Sequence, residues 1–288
     1  MFVLGTAQFG LDYGITNKRG LIPGTEAKQI LQVAAERGVQ TLDTAAAYGG
    51  AEETLGALGA SSTFAVITKI GTGEPDLVKP KLEESLRRLK TDKVSGVLIH
   101  DFKSWEKTPE SWNALSDAQA EGLTEAIGLS LYAPEEWKLF YDWAQRTKAP
   151  MPDIVQAPLS VFDQRFVPHL RQLKNNGVRV MVRSVFLQGV GFCDPEGMPE
   201  QVASLKPSVL QLGELQGEVG ASRAATLLTF PLVLDGVDDV VLGVDSLGSF
   251  LELLEAYDEA HKLKETLGPE RFSALDASDD RNVLPTNW

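Results

Sequence analysis

Short apolar runs rich in β-branched residues alternate with longer amphipathic segments from one end of this chain to the other, and a parallel sheet wrapped in helices requires that alternation. The strand-like runs fall at 2–5, 40–43, 64–69, 96–100, 126–130, 154–156, 178–183 and 240–244. Between them, 26–37, 75–89, 109–121, 134–147 and 250–263 show helical periodicity, several opened by a proline that suits the first turn of a helix. The seventh crossover holds two helical stretches, 207–219 and 222–235. An open doubly wound sheet usually carries a G-x-G-x-x-G turn after its first strand. None stands there, so the pattern predicts an α/β protein built as a (β/α)8 TIM barrel. A length of 288 residues suits one such domain, 1–288, in which 275–288 is a carboxyl-terminal tail that either covers a barrel end or hangs loose.

Charge and cysteine content narrow the setting. The formal net charge of −13 repels nucleic acid and anionic membrane surfaces, so neither is an expected partner. The single cysteine, Cys193, has no partner for an intramolecular disulfide. The stretch MFVLGTAQFG has neither a basic leader nor a long apolar core, and no apolar run is long enough to span a bilayer. The expected setting is cytoplasmic. No C-x-x-C or H-E-x-x-H pattern occurs, and His169 and His261 sit in helical stretches without ligand spacing, so no metal site is expected.

In such a barrel the chemistry gathers at the carboxyl ends of the strands, and there this chain is polar. Successive strand ends carry Asp43, followed by Thr44 and Tyr48, then Lys69, His100, Ser130, Gln156, and Arg183 with Ser184. Each has an ordinary structural alternative: an Asp that caps a helix, a Tyr that anchors a loop, a Lys that reaches water, a His satisfied in the core. Together they make a proton-delivery unit. A phenol with an ordinary pKa near 10 is a poor acid at neutral pH and needs a nearby cation. Lys69 can be that cation. Asp43 on the neighbouring strand keeps the ammonium charged, and His100 can donate a hydrogen bond that orients a substrate oxygen. Trp112, Trp137 and Trp143 read as packing residues, whereas Trp105, just past His100, and Trp288 can wall a pocket.

The segment 38–53, GVQTLDTAAAYGGAEE, with Leu55-Gly56 after it, resembles the signature of the aldo-keto reductase superfamily around its catalytic Asp and Tyr. Thr68-Lys69, the run 98–101 (LIHD) and Gly128-Leu-Ser130 follow in that family's order and extend the likeness over nearly all of 4–256. The segments 156–165 and 183–189 look like a bacterial branch of it. The resemblance implies a metal-free, NAD(P)-dependent reductase or dehydrogenase acting on a small carbonyl or alcohol substrate, with Asp43, Tyr48, Lys69 and His100 as catalytic residues. It further implies that Gly5, Thr6 and Ala7 approach the nicotinamide ribose beside Asp43, that Ser130 and Gln156 hold the carboxamide, and that Ser184, Phe186, Gln188 and Gly189 wrap the pyrophosphate. Gly189 and Gly191 can equally be turn formers. Gly243, Asp245 and Ser246 fall at the adenosine end.

Three positions depart from the family pattern. Leu131 stands where many members have Asn, and Arg183 where many have an aromatic residue stacked on the nicotinamide. Asp245 stands where NADP-preferring members carry a cation, and a carboxylate there favours a free 2′-hydroxyl. NADP(H) is therefore expected by resemblance and NAD(H) from Asp245. Two other readings compete with carbonyl reduction. One is a cofactor-binding barrel acting as a redox-sensing or interaction module, disfavoured by the complete catalytic set. The other is an unrelated barrel lyase or isomerase, disfavoured by the missing phosphate-binding glycine turn and metal carboxylates.

Overall fold

A computed structural model describes residues 1–12, 19–71, 73–279 and 283 of the chain. Eight parallel strands close into a barrel in sequence order, β1 (Phe2–Gly5), β2 (Thr41–Asp43), β3 (Ala65–Ile70), β4 (Gly96–Ile99), β5 (Ile127–Ser130), β6 (Ile154–Pro158), β7 (Arg179–Arg183) and β8 (Asp239–Gly243), with β8 pairing back onto β1. The crossovers carry α1 (Gly24–Glu36), α2 (Ala51–Ala57), α3 (Val78–Leu89), α4 (Phe102–Lys107), α5 (Ser111–Ala120), α6 (Pro134–Thr147), α7 (Leu170–Asn175), α8 (Lys206–Val219), α9 (Arg223–Val233) and α10 (Leu247–Leu263). The strand-like runs of the sequence all become strands, within a residue or two of the expected bounds. The helices α2, α4 and α7 have no counterpart among the expected ones. All three are short, and a segment of two turns offers too few residues for a helical period to emerge.

Strand periodicity explains both faces of the barrel wall. Leu4, Leu42, Val66, Val97, Leu129, Val155, Val182 and Val240 belong to the large outer core against the helices. The alternate residues Val3, Ile67, Leu98, Ile154, Met181 and Val241 form a separate apolar plug inside the barrel. Side chains two residues further along a strand point the same way. That next interior layer therefore holds Gly5, Asp43, Lys69, His100, Ser130, Gln156, Arg183 and Gly243. The polar strand ends of the sequence are one storey of the barrel, resting on an apolar floor.

The described part of the tail docks rather than hanging loose. Leu275 and Val283 are buried, Ala277 donates its N–H to the Phe162 carbonyl, and Ser278 Oγ accepts from the Gln164 N–H. The loop it covers follows β6 and is braced by an ion pair at 2.8 Å between buried Asp163 and half-buried Arg165. Trp288 lies outside the described residues.

The barrel interior is tightest at Gly128, where an added Cβ would stand 2.2 Å from the Ile154 carbonyl oxygen and 2.6 Å from Leu98 Cδ2. The first of these atoms is strand backbone and cannot move without breaking the β5–β6 register. We expect Gly128→Ala to lower unfolding free energy by at least about 2 kcal/mol in urea titration. An unchanged midpoint would show that this interior packing is looser than described.

Candidate active site

At the centre of the polar storey, the Lys69 ammonium donates to both oxygens of Asp43, at 2.8 and 2.7 Å, to the Thr44 carbonyl at 3.0 Å and to the Tyr48 hydroxyl oxygen at 3.3 Å. Lys69 and Asp43 are almost wholly buried. Burial pulls the ammonium down, yet Asp43 and then Tyr48 more than offset it and hold Lys69 above its usual range. Gln156 Nε2 adds a 2.6 Å donation to Asp43 Oδ1. A carboxylate can only accept, so the amide nitrogen must face Asp43. Gln156 Oε1 is thereby left buried with no hydrogen-bond partner.

Tyr48 comes from the turn after β2, and its position is set by backbone contact as much as by side chains. Gly10 and Gly49 meet so closely that a Cβ on Gly10 would lie 2.0 Å from the Tyr48 carbonyl oxygen. Just beyond, the buried carboxylate of Glu52 accepts from Thr68 Oγ1 at 2.6 Å and from Arg88 Nε at 2.7 Å. Thr68 immediately precedes Lys69, so the helix carrying Glu52 is tied to the strand that carries the ammonium. Sequence reading missed Glu52 in this role. The available signal was an acid on the face that Ala51, Leu55 and Gly56 otherwise make apolar, a position where a carboxylate must find partners.

A cavity of about 580 Å³ opens over this layer and runs from Tyr48 and His100 to the start of α10. Of the residues expected to meet a cofactor, Gly5, Thr6, Ala7, Asp43, Ser130, Gln156, Arg183, Ser184, Phe186, Gln188, Gly189, Gly243 and Asp245 all line it. Ser246 does not. Its hydroxyl caps α10, accepting from the Ser249 N–H at 3.0 Å and donating to Asp245 Oδ1 at 3.0 Å. Trp105 is not a pocket wall either: it is 2% exposed and packed among Phe102, Phe140 and Trp143. Tyr132, Phe192, Glu252 and Gln8 are wall residues that the sequence reading did not name. A second cavity of about 540 Å³, at the opposite end of the barrel beside Met1 and His261, contains none of the candidate catalytic groups. Among the described residues, no cluster of His, Cys, Asp and Glu could hold a metal ion, and no helix is long and apolar enough to cross a membrane.

His100 stands edge-on to Tyr48, with ring centroids 5.7 Å apart. Burial, then the charges of Lys69 and Arg183, outweigh Asp43 and push the imidazole down to about 4. It is neutral at physiological pH and can donate through one ring nitrogen without competing as an acid.

Comparison with known proteins places the chain. The family model described as Aldo/keto reductase family matches residues 2–267. The chain is 26% identical over 202 residues to the Oxidoreductase sirO of Leptosphaeria maculans, a match covering 66% of this chain and 60% of that protein. It is 31% identical over 133 residues to the Aflatoxin B1 aldehyde reductase member 2 of Rattus norvegicus, covering 42% of this chain and 36% of the rat protein. The matches thus span 60% or less of these relatives' own length. Among solved structures, the holo form of an aldo-keto reductase from Bacillus halodurans superposes with a TM-score of 0.72 over 99% of this chain and 94% of that one; at 19% identity this likeness concerns the fold.

The low value at His100 has a consequence for stability. Between its ordinary 6.5 and about 4, the unfolded chain binds a proton that the folded chain refuses. Stability from this group is therefore complete above pH 6.5 and declines as pH falls through that window. From pH 7 to 4.5 we expect the wild-type protein to lose roughly 2–3 kcal/mol more than His100→Gln in urea unfolding. Parallel losses in the two proteins would refute the assignment.

Proposed function

The chain belongs to the aldo/keto reductase family, and from that premise we propose that it reduces an aldehyde or ketone with a nicotinamide cofactor, Tyr48 delivering the proton. The observation that carries the reading is the Lys69 ammonium, bonded at once to both oxygens of Asp43 and to the phenol oxygen of Tyr48. Because that oxygen accepts from Lys69, the phenolic hydrogen is free to point away from Lys69, toward the cavity. Lys69 also stabilises the oxygen anion left when the proton departs, and Asp43 keeps Lys69 charged throughout. Neutral His100 donates to the same substrate oxygen and fixes its direction. In the reverse direction the same groups accept the proton of an alcohol.

The residues present fit a nicotinamide dinucleotide. The orphaned, buried Gln156 Oε1 is an acceptor in need of an N–H, which a carboxamide supplies, and Ser130 stands on the adjacent strand. When bound, the cofactor supplies the hydride. Ser184, Leu187, Gln188 and Gly189 all have positive φ, and the tight turn this makes brings loop backbone to the cavity wall, where a phosphate can approach it closely. Asp245 and Glu252 place carboxylates on the cavity wall near α10. These favour a free ribose 2′-hydroxyl over a 2′-phosphate, which supports NAD(H) over NADP(H) for this chain. Leu11, Ala47, Tyr132 and Phe192 give the cavity an apolar side, suited to a substrate with an apolar body.

Tyr48→Phe should retain cofactor binding and lose at least about 100-fold in turnover, measured as cofactor absorbance with a panel of aldehydes. Full turnover in that variant would remove Tyr48 as the acid. No cofactor oxidation by the wild-type protein across a broad panel would favour a binding module instead. Asp245→Arg should shift the NADPH/NADH preference toward NADPH, and an unchanged ratio would exclude Asp245 from cofactor choice.

A further inference from the structure

The reacting end of the cavity holds two cations with different surroundings. Lys69 is matched by the two oxygens of Asp43. Arg183 is not matched: its guanidinium donates to the Leu131 carbonyl at 2.9 Å and to Ser184 Oγ at 3.3 Å, and it lies 4.3 Å from the centroid of the Tyr132 ring. Among the described residues no carboxylate forms an ion pair with it. The acid that does feel its charge, Glu136, is held by the backbone N–H groups of Tyr132 and Ala133 and does not line the cavity. Asp43 and Lys69 neutralise each other and His100 is uncharged, and at His100 the carboxylate of Asp101 opposes Arg183 with the smaller effect, so the unpaired charge at the reacting end is the cation of Arg183.

We infer that Arg183 makes this site discriminate between the two redox states of its cofactor, holding the reduced, uncharged nicotinamide more tightly than the oxidised, cationic one. The inference rests on the function proposed above. In that reaction a C–H bond of the reduced ring breaks, and its hydrogen and electron pair form a C–H bond at the carbonyl carbon. The oxygen takes the Tyr48 proton and the ring is left with one positive charge. Arg183 lines the same cavity as Tyr48 and His100, so a ring held to deliver hydride to a carbon oriented by those two would lie within reach of its charge. One unit charge within about 10 Å, at an effective dielectric near 20, changes such a binding ratio on the order of tenfold. The developing negative charge on the substrate oxygen is favoured by the same field. The site is thus suited to reduction, and the spent cofactor is the weakly held form.

The test is calorimetric titration of the full chain with NADH and with NAD⁺, repeated with NADPH and NADP⁺. The adenosine portions of each pair are identical, so the ratio of oxidised to reduced Kd isolates the ring. We expect this ratio to exceed one in the wild-type protein, to fall about tenfold in Arg183→Gln and to be retained in Arg183→Lys, which keeps the charge. Arg183→Met serves in place of the glutamine variant should that one fail to fold. A wild-type ratio at or below one overturns the inference, as does a ratio unmoved by loss of the charge. Binding of neither redox state by the wild-type protein would instead sink the proposed function, and this inference with it.

Discussion

The buried ion pair between Lys69 and Asp43 is the constraint around which the upper half of the barrel is arranged. Either charge alone would be intolerable among side chains as dry as these, and removal of one partner from such a pair typically costs about 3–5 kcal/mol. Both oxygens of Asp43 are engaged by Lys69, and one also by Gln156. A pair of well-packed apolar residues would stabilise the barrel as well or better. An ion pair in this place is therefore not explained by stability, and the group it reaches is the phenol of Tyr48, 3.3 Å from the ammonium, which the proposed function makes the acid.

The strand period made most of this legible in the sequence. Once 40–43, 64–69 and 96–100 are read as strands, Asp43, Lys69 and His100 stand at the carboxyl ends of three neighbouring strands, within reach of one another at the same mouth of the barrel. The interior glycines Gly5, Gly128 and Gly243 follow the same rule. What the sequence did not disclose depends on contacts with no period. Glu52 reads as one acid among several at the start of a helix until Thr68 and Arg88 are seen to enclose it. Trp105 adjoins His100 in the chain, yet α4 turns its ring away into the aromatic cluster between the helices. Ser246 lies where a cofactor contact is expected, but its hydroxyl is already committed to the helix cap, where it accepts from the Ser249 N–H.

Charge is distributed along the cavity with a direction. Arg183 stands at the end shared with Tyr48 and His100, and Asp245 and Glu252 stand near α10. The protein as a whole is strongly acidic, so an unneutralised cation at the reacting end is contrary to its average composition. A small ligand entering from solvent passes from a field that disfavours anions to one that favours negative charge on an oxygen. On the function proposed above, this ordering would bear on cofactor choice at one end and on the redox state of the ring at the other, and the two effects are separable because they act on different parts of the same ligand.

The segment between β7 and α8 shows how backbone strain is contained. Ser184, Leu187 and Gln188 adopt left-handed φ values of 62°, 45° and 52°, followed by Gly189 at 96°. Outside glycine such conformations cost on the order of 1–3 kcal/mol each and persist only where surroundings over-determine them. Here the surroundings are the buried side chains of Val185, Leu187 and Val190 and the bonds from Leu187 N–H to Ser184 and from Gly189 N–H to Phe186. At the cavity-lining position 188, where no buried apolar side chain is at stake, a glycine would relieve the strain at no loss of topology. A fixed path is instead enforced by side chains that pin the strained backbone from below, leaving its upper surface as part of the cavity wall. The barrel supplies the rigidity, and this loop converts it into a shaped backbone surface at the edge of the reacting layer.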